Sequence, residues 1–460
     1  MKLDVVILAA GKGSRMNSSL PKVLHRIGGL SMLEHVIAAA QKLDSSRLHI
    51  VVGYGGDEIK QYLAASEDAP NLNWASQEPQ LGTGHAVQQA LPGLDLGSED
   101  NLVLVLYGDV PLIKTSTLQK LLLQTNADTL SLLTVKTENP SGMGRIIRDG
   151  ADAITAIVEE RDASTEQKQI KEINSGIMAI PALKLARWLS ELKNNNAQAE
   201  YHLTDIVALA AKEKCEINAQ LIEDEFETQG VNDKSQLASL ERHYQMGKVE
   251  TLLQAGVAVR DPARVDIRGV LETGKDVEID VNVIFDGEVT LADNVAIGAN
   301  TSIKDAAIGE GSKILPGTII EGAVIGKNTT IGPYARIRPG TILKDNVKIG
   351  NFVETKNAII GKGSKASHLA YIGDAELGEN VNIGAGVIVC NYDGVNKHRT
   401  RVGNNVFVGS NSVLVAPIEL ADNAFIAAGS TINVDVPVGD LAVARSKQRN
   451  VSGWKRPGKK

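Results

Sequence analysis

The stretch IGKNTTIGPYARIRPGTILKDNVKIG, residues 325–350, places Ile325, Ile331, Ile337, Leu343 and Ile349 six residues apart. Glycine usually follows each aliphatic, and a small or β-branched residue stands four places on. The same rhythm returns at Val402, Val408, Leu414, Leu420, Ile426 and Ile432. A six-residue period is the mark of a parallel β-helix, in which each coil stacks on the next. Every side of such a prism sends one aliphatic inward, and coils rise as neighbouring strands do in a sheet, by about 4.8 Å. A narrow prism has little room for rings, in keeping with an aromatic content of only 3%. The rhythm falters near 350–359, 373–376 and 390–401, and such breaks in a repeat protein read either as loops on one face, often the binding face, or as neutral drift. They flank or contain Lys356, His368, Tyr371, Asn391 and Tyr392.

Upstream of about residue 227 the pattern is different. Val5 to Leu8, His49 to Val52 and Leu102 to Leu106 read as buried strands, and segments near 31–42, 84–91 and 115–123 carry helical spacing. Alternation of this kind predicts a parallel or mostly parallel sheet with helices on both faces, and ligands at the carboxyl ends of its strands. Residues 233–256 read as one helix, with Leu237, Leu240 and Tyr244 on a common face and Gly256 as its stop. The organisation is therefore a domain over 1–227, a helical linker over 228–256 and the repeat domain over 257–460.

Composition narrows the function. A chain of 460 residues with 43% hydrophobic and 22% charged residues is a globular protein of two or three domains. A net charge of -7 argues against a coat for nucleic acid or anionic membrane. Only Lys455-Arg456 and Lys459-Lys460 form a basic cluster, either a solvated end or a grip on an anionic ligand. The first apolar run is too short for a signal peptide, no segment is long enough to span a bilayer, and two cysteines, Cys215 and Cys390, cannot build a disulfide framework. The expectation is a cytoplasmic protein.

The loop after the first strand, LAAGKGSRM at 8–16, has Gly11 and Gly13. A dinucleotide fingerprint would need glycine where Met16 stands, and a P-loop would need it where Val6 stands. What remains is a strand, a turn with bare N–H groups, and the cations Arg15 and Lys22. It reads either as a structural turn or as a cradle for a triphosphate that loses pyrophosphate. LYGDVPL at 106–112 ends another strand with Asp109, a turn cap or a Mg²⁺ ligand, since Mg²⁺ takes only one or two protein carboxylates. QLGTGHA at 80–86 is a second glycine turn ahead of a helix, able to approach a base or sugar.

In order along the chain, LAAGKGSRM, LPKVLH, LGTGHA, LYGDVPL, GRI, IVEERDA, INSGIM and GVND resemble the sugar-nucleotide pyrophosphorylases. With the repeat half included, the whole chain resembles the bifunctional N-acetylglucosamine-1-phosphate uridyltransferase/glucosamine-1-phosphate N-acetyltransferases. Ser14 stands where that family often has threonine, and both supply a hydroxyl. The resemblance implies a Rossmann-like nucleotidyltransferase domain followed by a left-handed parallel β-helix. It implies acetylation of glucosamine 1-phosphate by acetyl-CoA, then Mg²⁺-dependent transfer of uridylyl from UTP with release of pyrophosphate. The product, UDP-N-acetylglucosamine, feeds bacterial cell-wall and envelope polymers.

Carried over by motif, the resemblance implies nucleotide contacts from Leu8, Ala9, Ala10, Gly11, Gln77, Gly82 and Thr83, with Tyr107 and Gly108 beside them. Lys22 and Arg15 would act on phosphate, Asp109 and Asn232 would hold Mg²⁺, and Gly144, Glu159 and Asn174 would bind the acetylated sugar. The attacking sugar phosphate is already anionic, so alignment and charge stabilisation can carry the reaction without a protein nucleophile or base.

In the second half, GSKASHLAYIGDAELGENVNIGAG at 363–386 contains His368. With His398 it is one of only two histidines there, whereas a zinc site on a β-helix would need three. His368 is either a plain surface histidine or the base that takes a proton from an amine during acylation, a task imidazole suits near neutral pH. The hexapeptide acyltransferases that this half resembles use a histidine in this motif as that base. The resemblance places Arg338, Lys356, Tyr371 and Asn382 around the amino sugar phosphate, and Glu354 in orientation of the base region. It assigns Ala385, Asn391, Tyr392, Ser410, Ala428 and Arg445 to acetyl-CoA, and it implies a homotrimer with sites between subunits. Two other readings stand beside it: a pyrophosphorylase whose β-helix only oligomerises, and a β-helix that serves as a binding scaffold.

Overall fold

A computed structural model describes residues 2–44, 46–65, 71–98 and 100–458. The chain divides into two compact units, Met1–Tyr244 and Gln245–Lys460, and the helix Lys234–Gln254 carries the division. Among the described residues no helix is long and apolar enough to cross a membrane.

The first unit is built on a nine-stranded sheet. Its strands are β1 (Leu3–Ala9), β2 (Ser46–Val52), β3 (Leu72–Ser76), β4 (Leu102–Tyr107), β5 (Thr129–Lys136), β6 (Arg145–Arg148), β7 (Ile154–Val158), β8 (Glu172–Pro181) and β9 (Glu216–Ile222). The order is β9-β5-β8-β4-β1-β2-β3, and only β8 runs antiparallel within that row. The hairpin of β6 and β7 joins through the pair Arg145 and Ile173. The sheet is thus mostly parallel.

Strand periodicity sorts the core into two halves. Leu3, Val5, Ile7 and Ala9 of β1 pack with Leu33, Val36 and Ile37 of α1 (Met32–Gln41), Ile59 and Leu63 of α2 (Gly56–Ala64), and Leu118 and Leu121 of α4 (Thr115–Leu123). Val6 and Leu8 face the other way, onto Val87 of α3 (Thr83–Ala90), Trp188 of α5 (Ala182–Glu191) and Ile206 of α6 (Asp205–Lys212). Both faces of β1 are therefore buried, so from Val5 to Ala9 the strand reads as an unbroken apolar run. Each such side chain contributes about 1.5–3 kcal/mol on burial. α1 starts at a capping box: Ser31 Oγ accepts from Glu34 N–H at 3.2 Å, and Glu34 accepts from Ser31 N–H at 2.7 Å. On α7 (Lys234–Gln254), Leu240 is buried with Met16, Ile27, Met32 and Val231, and Leu237 and Tyr244 flank it.

The second unit is a parallel β-helix. One face is an 11-stranded parallel stack from Ala258–Val259 to Leu441–Ala442, and the other faces form a 16-stranded sheet. Thr330 pairs with Lys348 and Lys348 with Lys365, so a coil advances by 17 or 18 residues, three hexapeptides. Ile297, Ile314, Ile331, Ile349, Ile383, Val408 and Ile426 point inward and belong to one core that runs from Val249 to Val436. Asn282, Asn300, Asn328, Asn346, Asn380, Asn405 and Asn423 occupy left-handed backbone at the corners, which asparagine tolerates best among residues with a side chain. Phe285 is the buried ring of this unit. Tyr334, Phe352, Tyr392, Phe407, Phe425 and Trp454 lie outside, so the prism keeps these rings out of its core.

Two of the three expected loops are absent. Around 350–359 and 373–376 the ladder continues through Glu354–Lys356, Tyr371–Gly373 and Ala375–Leu377, because glycine and left-handed residues absorb the irregularity at the corners. The third is real: Asn382 pairs with Phe407, a step seven or more residues longer than its neighbours, and the excess forms a loop closed by a bridge between Tyr392 and Lys397. Of the basic tail, Lys455 and Arg456 are exposed, while Lys459 and Lys460 lie outside the described residues.

Candidate active sites

The turns that follow β1, β3 and β4 meet at the carboxyl edge of the first sheet. There they line a cleft of about 370 Å³ with Leu8, Ala9, Ala10, Gly11, Lys22, Gln77, Gly82, Thr83, Tyr107 and Asp109. Backbone bonds fix the floor, with Gly108 N–H donating to Leu8 O at 2.9 Å and Gln77 N–H to Val52 O at 2.8 Å. Gly13 has φ +60°, and a Cβ there would lie 2.7 Å from Cβ of Lys22. The missing side chain lets the loop lie on the lysine stem and aims its ammonium at Asp109. Gly82 has φ +107°, and a Cβ there would strike Tyr201 O at 2.6 Å; the carbonyl of Gly82 accepts from Gln77 Nε2 at 2.9 Å.

A second cleft, of about 480 Å³, opens on the other side of Tyr107 and Asp109 and is also lined by Asn174 and Asn232. Asp109 and Asn232 thus share one wall, and Val231 N–H donates to Asp109 O at 3.0 Å. Asn174 N–H donates to Gly144 O at 2.9 Å. Glu159 accepts from Thr204 at 3.0 Å and stands beside the Cα of Gly144. The three residues expected at a sugar therefore meet, and the buried Oδ1 of Asn174 has no hydrogen-bond partner. Burial, with Glu159 and Asp109 nearby, pushes the Tyr107 hydroxyl far up, so it stays protonated.

Arg15 stands apart, exposed on the turn Ser14–Met16 and outside the lining of either cleft. Two polar residues lining the first cleft, Gln80 and Glu200, went unnoticed in the sequence. Gln80 donates through Nε2 to Ala10 O at 2.5 Å and ties two glycine turns together, and Glu200 closes the rim. Gln80 lies inside the motif QLGTGHA, but an uncharged amide carried no chemical signal.

In the second unit, the cation-bearing residues gather on one face. Arg338 donates to Glu354 at 2.7 Å, and Glu354 pairs in register with Tyr371 as Lys356 does with Gly373. The Lys397 ammonium from the inserted loop pushes the Lys356 ammonium down, with burial and Arg338 acting the same way. Burial opposes the charged form of Asp374, yet the amides of Asn357 and Asn391, then Lys397 and Lys356, outweigh it and hold its carboxyl below the usual range. Such crowded cations suit a phosphate. Lys397 and Asp374 escaped notice in the sequence because a loop and a coil register bring them here.

His368 lies on a different face, at the end of Lys365–His368, and Asn382 is on the same stack. Along the adjoining edge, successive coils place Asn351, His368, Ala385, Ser410, Ala428 and Arg445. Asn411 N–H bonds Ala385 O at 2.8 Å, Gly429 N–H bonds Ser410 O at 2.8 Å, and Arg445 reaches Ala428 O at 2.5 Å. Histidine and small residues thus share one edge of the prism. Asn391 is buried on Asp374, while Tyr392 is exposed and donates to Gly394 O at 2.6 Å. Glu354 accepts from Arg338 at 2.7 Å, and among the described residues no hydrogen bond joins it to the imidazole. Among the described residues no group of three or more His, Cys, Asp or Glu could hold a metal ion.

Comparison with known proteins agrees with this two-part anatomy. Residues 5–170 match the MobA-like NTP transferase domain, 267–361 the GMPPB C-terminal domain and 399–433 the bacterial transferase hexapeptide of six repeats. The protein named Bifunctional protein GlmU in Marinobacter nauticus is 54% identical over 99% of this chain and 99% of its own. Its namesake in Pseudomonas entomophila is 52% identical over 100% of this chain and 99% of its own, and that of Azoarcus sp. is 51% identical over 99% of both.

Proposed function

From the premise that this chain belongs to the family of the bifunctional protein GlmU, we propose how its residues divide the work. The enzyme carries out uridyl transfer and acetyl transfer in UDP-N-acetylglucosamine synthesis, with a nucleotidyltransferase domain and a hexapeptide-repeat domain. The uridyltransferase spans 1–227, the linker 228–256 and the acetyltransferase 257–460.

In the first unit, UTP occupies the cleft over Leu8–Gly11, with its base toward Gln77, Gly82 and Thr83. The acetylated sugar phosphate sits against Gly144, Glu159 and Asn174. Its phosphate oxygen attacks the α-phosphorus of UTP, a P–O bond forms, and the bond to pyrophosphate breaks. Lys22 and the exposed Arg15 neutralise the charge that gathers on the phosphates. Asp109 and Asn232, two hard oxygen donors on one wall, fit Mg²⁺, which when bound supplies further neutralisation. The unpartnered amide oxygen of Asn174 supports a hydroxyl- or amide-bearing ligand here.

In the second unit, Arg338 and Lys356, with Tyr371, take the phosphate of glucosamine 1-phosphate. Acetyl-CoA lies along Ala385, Ser410 and Ala428, with Asn391, Tyr392 and Arg445 at its flanks. The amine attacks the thioester carbonyl, a C–N bond forms, and the C–S bond breaks. His368 accepts the amine proton and returns it to the departing thiolate. Asn382 and His368 lie on another face from the cations, and a homotrimer in the cytoplasm, as the resemblance implies, would complete each site from a neighbouring copy.

The observation that carries this reading is the pairing of two separate clusters, Lys22 with Asp109 at a sheet edge and His368 at the head of a small-residue edge. Its test is incubation with glucosamine 1-phosphate, acetyl-CoA, UTP and Mg²⁺, following thiol and pyrophosphate separately. Thiol release that depends on the amino sugar, followed by pyrophosphate, supports it. Thiol release indifferent to the amino sugar removes the second site.

A further inference from the structure

Asn351 and His368 are Cα partners on adjacent parallel strands, 17 residues and one coil apart. Each is followed by a residue in left-handed backbone, Phe352 at φ 56° and Leu369 at φ 46°, which ends the strand and turns the corner. Leu369 N–H donates to Asn351 O at 3.0 Å, so the two corners are locked to each other. On that frame, His368 Nδ1 lies 2.8 Å from Asn351 Oδ1. An amide oxygen only accepts, so Nδ1 carries the hydrogen and the lone pair is left on Nε2. The hydrogen bond made by one ring nitrogen decides which state the other takes.

We propose that Asn351 is the positioning residue of the acetyltransferase: it fixes the tautomer and the ring plane of His368 so that Nε2 is the basic nitrogen. This rests on the reading of His368 as the base. Glu354, the neighbour with the stronger charge, accepts from Arg338 through Oε1 at 2.7 Å and has no hydrogen bond to the imidazole among the described residues. The other charged or titratable groups nearby in the ladder are Lys348 and Lys365 on the same two strands, and Lys356 and Tyr371 on the strands after the corners. None is recorded in a hydrogen bond to the imidazole among the described residues, whereas the amide is.

The test uses the full chain with Asn351→Ala, Asn351→Asp and His368→Ala. Uridyl transfer and the melting temperature report folding. Asn351→Ala should lower kcat for acetyl transfer by about 10–100-fold, with both KM values nearly unchanged. Asn351→Asp keeps an acceptor at Nδ1, so it should retain kcat at high pH. Its carboxylate favours the imidazolium, so the acid limb of kcat/KM should move up by about one pH unit. If His368→Ala is inactive while Asn351→Ala keeps full kcat, or Asn351→Asp leaves the acid limb in place, the positioning role is overturned and the base stands. If His368→Ala retains wild-type acetyl transfer, the base reading itself falls and takes this proposal with it.

Discussion

The ammonium of Lys22 is ion-paired with the carboxylate of Asp109, although 87 residues separate them in the chain. One comes from the turn after β1 and the other from the end of β4, so the parallel pairing of those strands brings them together. The pair presets a cation and an anion where two clefts meet. Lys22→Ala should lower kcat for uridyl transfer by about 10²–10³-fold, the usual loss for one charge-stabilising donor. Acetyl transfer by the same preparation should be unchanged.

Gly13→Ala tests the support beneath that lysine. A methyl group there meets the Lys22 stem at 2.7 Å on left-handed backbone, so the turn must shift. Uridyl transfer should fall about tenfold or more, in line with the sensitivity of aligned reactions to small displacements. A steady-state assay of pyrophosphate release checks it, with acetyl transfer as the internal control.

Arg338→Ala should raise KM for glucosamine 1-phosphate by roughly 10–100-fold, the equivalent of one charge-assisted hydrogen bond. KM for acetyl-CoA should stay put. Measured with glucosamine lacking its phosphate, the variant and the parent should become nearly equal. Equal losses with and without phosphate would mean that Arg338 serves Glu354 and the fold rather than the ligand.

Asp374 gives the β-helix a pH signature. Its carboxyl titrates below the ordinary value of 3.8, so it stabilises the folded state fully above that value and loses this effect as pH falls through the lower, folded value. Asp374→Asn should melt at a lower temperature than the parent at pH 7. The gap should hold down to about pH 4 and close only in stronger acid, as thermal scans across pH 2–7 would record.

The fold was legible wherever burial imposes a period. Val5 to Leu8 and the six-residue ladder from Ile325 to Leu343 are fixed by what they must hide, and the structure places both as read. The long antiparallel strand β8 was not legible, because INSGIM mixes polar residues and Gly176 into a strand that bulges between Asn174 and Met178. At the sites, contiguous motifs announced Lys22, Asp109 and His368. Partners set by register did not announce themselves: Asn351 reaches His368 only because a coil closes in 17 residues, and Lys397 reaches Lys356 only because an inserted loop folds back. Gln80 was in plain view but bears no charge.

The most direct measurement of two independent sites is a crossed assay of Asp109→Ala and His368→Ala in the full chain, with thiol and pyrophosphate followed separately. Asp109→Ala should release thiol at the parent rate and form no pyrophosphate, His368→Ala should do the reverse when given N-acetylglucosamine 1-phosphate, and a mixture should make UDP-N-acetylglucosamine from glucosamine 1-phosphate. Loss of both activities in either folded variant, or a mixture that yields no product, would contradict the account.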